Sequence, residues 1–168
     1  MVESNNKRFI VDPGTDSKRL QRALKKENIT ESDLSFVYLT HYHPDHFLNI
    51  RLFPNLDIYD GDICWSSEKE IFHQGKLPNV DVEIIKTSGH ATENTSLLVK
   101  TGDGVICISS DVFWWEDGKQ KTNTVDDLMN LVDPFANDNK ALKKSRKLVL
   151  EKADWIIPGH GKMFKVIK

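Results

Sequence analysis

The stretch FVYLTHYHPDH, residues 36–46, decides how this chain is read. Phe36 to Thr40 is β-branched and aromatic, the composition of a buried strand. The six positions that follow hold three of the chain's six histidines and one aspartate. His41, His43, Asp45 and His46 cannot all face one point from a regular strand or helix. A tight loop can aim two of them at one metal ion and two at a neighbouring ion. Imidazole and carboxylate donors suit zinc, and also iron or manganese, better than calcium or magnesium.

Working outward, the same arrangement recurs. RFIV (8–11) reads as a short strand stopped by the turn cluster Asp12-Pro13-Gly14. A helix is expected from about Thr15, with Leu20, Ala23 and Leu24 on its apolar face. VEIIK (82–86) is a strand ending at Thr87-Ser88-Gly89-His90, and TSLLVK, TGDG and VICIS form a hairpin over 95–109, just before Asp111. Residues 137–153 are expected to form a helix. Ala141, Leu142, Leu148 and Val149 would face inward, with Lys140, Lys143, Lys144, Arg146 and Lys147 in solvent. DWII (154–157) is a strand closed by Pro158-Gly159-His160-Gly161, and FKVIK ends the sequence. Strands alternating with helices predict an α/β fold with a mixed sheet, and without a linker or repeat residues 1–168 read as one domain.

His41–His46, His90, Asp111 and His160 all directly follow expected strands, and binding sites in α/β folds gather at such strand ends. Taken singly, His90 or His160 reads as a surface or capped histidine, and Asp111 as a turn or helix-cap residue. The order HxHxDH…GH…D…GH, with five of six histidines on strand-end loops, points instead to metal. His90 and His160 could each add a ligand to one of two ions, and Asp111 could bridge them. Two such ions can hold a water whose pKa is lowered towards neutrality, so hydrolysis needs no serine or cysteine nucleophile.

Composition narrows the field. At 168 residues a single domain buries roughly two-thirds of its unfolded surface. A net charge of −2 gives no global attraction to nucleic acid or anionic membrane. No apolar run approaches the roughly 20 residues that span a bilayer. MVESNNKRFIVDPG has no apolar signal region, so a cytoplasmic location is expected, with nuclear placement left open. Cys64 and Cys107 match no zinc or redox spacing, and Cys107, within VICIS, reads as a small buried hydrophobe.

These motifs resemble, in order, those of the metallo-β-lactamase superfamily. VDPGTD looks like the first motif, THYHPDH the second, TSGHATENTSLLV the third, SSDVF the fourth and IPGHG the fifth. The resemblance implies an αββα sandwich with a dinuclear site at one edge. It implies one ion, zinc by preference, on His41, His43 and His90, and a second on Asp45, His46 and His160, with Asp111 bridging. Asp12 would support the site through hydrogen bonds rather than bind metal. LFPN, DVFWWEDG and the C-terminal SRKLVLEKADWIIPGHGKMFKVIK resemble a branch associated with endonucleolytic cleavage of histone pre-mRNA 3′ ends, which implies an endoribonuclease. Thioester hydrolysis of the glyoxalase II type is the alternative. A single-iron dioxygenase or a metal-binding protein without turnover are the further readings.

Only eleven residues precede Asp12, where the superfamily usually has several strands. A reduced N-terminal sheet with exposed edge is therefore expected, and with it a homodimer. The basic stretch 139–147 reads first as a solvated helix face, although its lysines, with Lys162 and Lys165, could contact phosphates. Trp114 and Trp115 are candidates to line the substrate cleft, at least one of Phe113, Trp114 and Trp115 being core. Asp45 and His73 are the candidate catalytic groups. His73 reads either as a surface residue or as a general acid protonating the leaving oxygen.

Overall fold

The computed structural model describes residues 1–121 and 124–167. The last residue of the FKVIK segment lies outside the described residues. The chain divides into two compact units, Met1–Asp81 and Val82–Lys168.

The first unit is built on a six-stranded sheet of strands β1 (Val2–Ser4), β2 (Lys7–Val11), β3 (Phe36–Tyr38), β4 (Ile58–Tyr59), β5 (Ile63–Ser66) and β6 (Lys69–Phe72), in that spatial order. β1 and β2 form a hairpin around Asn5 and Asn6, whose φ angles of 50° and 59° suit the primed turns that match strand twist. The residues before Asp12 thus supply two of the six strands. β2, β3 and β4 run parallel, and β4 to β6 antiparallel.

Helix α1 (Ser17–Lys26) begins where the Asp16 side chain accepts from the Arg19 N–H. Its Leu20 and Leu24 pack on Ile10, Ile29, Leu34, Val37, Leu39 and Phe53. Ala23, expected on that face, is exposed instead, because it falls at the stripe's edge. Alternate residues of the same strands, Phe9 and Phe36, are buried and stack with centroids 4.6 Å apart. A single short helical turn, α2 (Pro44–Phe47), lies within the histidine stretch.

The second unit carries a five-stranded sheet of β7 (Val82–Lys86), β8 (Thr95–Thr101), β9 (Gly104–Ser110), β10 (Trp155–Pro158) and β11 (Phe164–Lys165), in spatial order β11-β10-β9-β8-β7. β7 to β9 form an antiparallel meander, and β10 returns parallel to β9. Helices α3 (Val125–Met129) and α4 (Asn139–Lys152) make that crossover. The core gathers Leu98, Cys107, Phe113, Leu142, Val149 and Ile156, among others. Cys107 is fully buried, as expected, and burial pushes its thiol pKa up.

One expectation for α4 is overturned. Arg146, read as solvent-facing, is only 2% exposed and is the largest fully buried side chain. It lies four residues after Leu142 and three before Val149, on the helix's inward face.

Candidate metal centre

In the first unit the ligand-type residues sit in the loop after β3. Pro44 opens α2 at its first position, where a missing N–H costs nothing, and sets Asp45 and His46 on one short turn. The VDPG turn secures that helix, with Gly14 N–H donating to the His46 carbonyl at 2.8 Å and Asn49 N–H to the Gly14 carbonyl at 2.9 Å. Asp12 adopts a φ of 44°, a left-handed conformation that Asp tolerates better than most residues.

That conformation presents the Asp12 carboxylate to three donors. Its Oδ1 accepts from Thr40 N–H at 2.8 Å, and its Oδ2 from the Thr40 hydroxyl at 2.6 Å and from His46 Nδ1 at 2.9 Å. Because a carboxylate only accepts, His46 carries its proton on Nδ1, and its Nε2 lone pair is left for a ligand role. The Thr40 oxygen, its own hydrogen given to Asp12, lies 3.1 Å from His41 Nδ1 and can only accept from it. His41 is therefore also an Nδ1–H tautomer with Nε2 as the donor atom. His41 and His46 are buried, His43 is partly buried, and Asp45 is exposed. Ligand atoms of Asp12, His41 and His46 lie within 4.8 Å of one another. The His41 ring stands 4.2 Å from that of His46 and 4.6 Å from that of His43.

In the second unit His90, Asp111 and His160 follow β7, β9 and β10. His90 is 1% exposed and its Nδ1 donates to Asp133 Oδ2 at 2.7 Å. Its Nε2 lies 3.2 Å from Asp111 Oδ2, and His160 Nε2 lies 3.7 Å from the same oxygen. An imidazole lone pair facing a carboxylate oxygen at this range is repulsive unless a proton or a metal cation stands between them. The donor set, nitrogen and carboxylate oxygen with the far imidazole nitrogen held by a carboxylate, fits a transition-metal ion.

Asp133 was not foreseen in the sequence. Burial alone would raise its pKa. The hydrogen bonds from His90 and from Phe135 N–H, with the charges of His90 and Arg146, outweigh that and hold it below the ordinary carboxylate range.

The remaining candidates divide. Trp114 is half-buried, 6.0 Å from the His160 ring and 5.1 Å from Phe135. Trp115 is core, packed edge-on against Phe164 at 5.8 Å. His73 Nε2 lies 3.0 Å from the Asp60 carbonyl, to which it must donate, and its ring lies 5.5 Å from that of Tyr59. Its Nε2 proton is thus committed to the backbone, and any acid role would fall to Nδ1. That buried nitrogen has no hydrogen-bond partner among the described residues.

Comparison with known proteins agrees with this reading. The family model described as the metallo-β-lactamase superfamily matches residues 1–79. Over those residues the chain is similar to the metallo-β-lactamase superfamily. It is similar to metallo-β-lactamase domain-containing protein 1 of Xenopus laevis, with 31% identity over 89% of this chain and 63% of that protein. It is also similar to the exodeoxyribonuclease WalJ of Streptococcus pneumoniae, with 27% identity over 54% of this chain and 40% of that one. The chain therefore spans less than two-thirds of the length of these curated relatives. The crystal structure of a metallo-β-lactamase candidate from Thermotoga maritima superposes with a TM-score of 0.63, at 20% identity, over 97% of this chain and 85% of that one. The fold, mixed α/β with two sheets, is the metallo-β-lactamase fold. No helix among the described residues is long and apolar enough to cross a membrane.

Proposed function

We propose that this chain is a dinuclear metallohydrolase that cleaves a phosphodiester in RNA. The observation that carries the metal reading is the shared orientation of its imidazoles. His41, His46 and His90 each have Nδ1 committed to an oxygen acceptor, and so each offers Nε2. His41, His43 and His90 would hold one zinc-like ion, and Asp45, His46 and His160 the other, with Asp111 between them. Such ions, when bound, supply a water of lowered pKa and positive charge for a phosphoryl oxygen.

The residues around them do the rest. Asp12 and Asp133 fix the imidazole tautomers, and Trp114 offers an aromatic face beside His160 on which a base can stack. Resemblance to the RNA-cleaving branch and the nuclease name of one relative support a nucleic-acid substrate. A second reading, hydrolysis of a small thioester, draws on the same candidate ligands and on Trp114.

The test is cleavage of labelled single-stranded RNA by metal-loaded protein, beside Asp111→Ala and a chelated sample, with single-stranded DNA and a thioester as parallel substrates. RNA cleaved by the loaded protein alone supports the proposal. DNA or thioester turnover with RNA intact replaces its substrate, and two bound ions without turnover remove the enzyme reading. For the partner, self-association at β6 is supported by its edge position and by Ile71 and Phe72, 48% and 76% exposed. Sedimentation giving monomer alone would dismiss it.

A further inference from the structure

Arg146 is buried on α4 at a position that spacing alone would give to an aliphatic residue. Its Nε donates to the Val112 carbonyl at 2.9 Å, and its Nη1 donates to the Leu131 carbonyl. Its Nη2 is buried without a hydrogen-bond partner among the described residues. A buried guanidinium with an unmet donor is a costly way to fill a core, since apolar side chains of similar volume commonly serve as well or better. Packing is therefore a poor account of it.

The two carbonyls it grips suggest a better one. Val112 is the residue after Asp111, and Leu131 lies two residues before Asp133, whose carboxylate holds His90. Arg146 also places its positive charge near Asp133, the buried anion on which the His90 orientation depends. α4 is tied to the same loop at its start, where Asp138 N–H donates to the Gly89 carbonyl and Asn137 N–H to that of His90. Ser145, beside Arg146, donates its hydroxyl to the Ser88 carbonyl at 2.7 Å.

We propose that Arg146 is a positioning residue for the metal centre, a clamp that fixes the spacing between Asp111 and the Asp133–His90 pair. It touches neither substrate nor metal. The guanidinium suits this task because its donors diverge in a rigid plane and reach two carbonyls at once. A lysine ammonium on a flexible stem cannot hold both at fixed separation.

The clamp matters to activity only if the proposed metal reading holds, so its test must read both. Arg146→Met and Arg146→Lys are compared with wild type for zinc affinity by chelator competition. The metal-free proteins are compared for the His90 imidazole N–H proton in NMR, assigned by its loss in His90→Gln. A hydrogen bond as short as that to Asp133 places such a proton well downfield. Expected is zinc affinity about tenfold to a hundredfold weaker in Arg146→Met, the range seen when groups supporting metal ligands are removed. Arg146→Lys should not restore it, and the His90 proton should shift upfield or broaden in both. Arg146→Lys keeps the charge, so it remains informative should Arg146→Met fail to fold. Wild-type zinc affinity and an unmoved His90 resonance in a folded variant would overturn the clamp. Absence of zinc binding in wild type, with the resonance still sensitive to Arg146, would overturn the metal reading and leave the positioning in place.

Discussion

Replacing Gly89 by alanine should disable the loop that carries His90, and the structure separates the reasons. Gly89 has a φ of +139°, and a Cβ built there would lie 2.3 Å from the Leu142 nitrogen, 2.4 Å from its Cα and 2.6 Å from its Cβ. Those are backbone and near-backbone atoms of α4, which cannot swing aside like the end of a side chain. The backbone conformation alone costs an L-residue about 1–3 kcal/mol. Forcing atoms into a packed region adds about 1–3 kcal/mol. The sum, about 2–6 kcal/mol, is a large part of the roughly 5–15 kcal/mol that holds a domain folded. Two other glycines resolve the terms. Gly75 has a φ of +72° with nothing among the described residues within 4 Å of a built Cβ, so Gly75→Ala should show backbone strain alone, about 1–2 kcal/mol. Gly102 has neither a left-handed φ nor a neighbour among the described residues within 4 Å of a built Cβ, so Gly102→Ala should be neutral or stabilising by up to about 1 kcal/mol. Urea unfolding of the metal-free proteins gives the comparison, with changes read from the midpoint at constant slope. Gly89→Ala losing no more than Gly75→Ala would show that Leu142 yields freely, and the argument that α4 buttresses the His90 loop would fail.

Three further outcomes follow from the same geometry. Asp133→Asn exchanges a charge-assisted hydrogen bond to His90 for a neutral one, and zinc affinity should fall about tenfold to a hundredfold by chelator competition. Chelating the metal should lower the urea midpoint of wild type, since a ligand at a hundred times its Kd stabilises by about 2.7 kcal/mol, whereas Asp111→Ala should respond less. Asp138 caps α4 by accepting from Lys140 and Ala141 N–H, and these bonds, Ala141 first, hold its carboxyl below the ordinary range. Stability from a depressed carboxyl is present above the unfolded pKa and lost as pH falls through the folded value. Asp138→Asn should therefore shed less stability than wild type below about pH 4, read as the unfolding midpoint at successive pH values.

The loops that hold the candidate ligands were legible because those residues lie beside strands of plain composition. The turn at Asp12, the histidine stretch, His90, Asp111 and His160 each follow a strand in the structure as in the sequence. Asp133 was not legible, since it reaches His90 across 43 residues and in sequence Asp-Pro reads as an ordinary turn. Arg146 was misread for a different reason. Its spacing from Leu142 and Val149 already put it on the inward face, but its charge was allowed to outvote its position. β4 escaped notice because it is two residues long, and β6 because its residues are all exposed and show no alternation. The hairpin at the start was missed, although Asn5-Asn6 before the RFIV strand is a usable turn signal.

Asp12 and Asp133 show the same device twice, one in each unit: a carboxylate on the back of an imidazole, leaving Nε2 as the nitrogen offered for the proposed ligand role. Asp12 does so under tighter constraint, and Asp12→Asn tests how tight. Asparagine tolerates the left-handed φ of 44° about as well as aspartate, so the backbone is not the variable. The side chain is. Oδ1 accepts from Thr40 N–H, while Oδ2 accepts from the Thr40 hydroxyl and from His46 Nδ1, so both oxygens face donors. An amide has one acceptor and one donor end, and either orientation sets NH₂ against an N–H or O–H. Turned one way it confronts the backbone N–H of Thr40. Turned the other it confronts His46 Nδ1–H, while the Thr40 hydroxyl can turn to accept, and His46 relieves the conflict by moving its proton to Nε2, the nitrogen proposed to face the metal. Zinc affinity should fall about tenfold to a hundredfold, with the His46 tautomer change visible in imidazole ¹⁵N shifts. Unchanged affinity with His46 still protonated on Nδ1 would mean that Thr40 and the α2 turn orient His46 without the carboxylate.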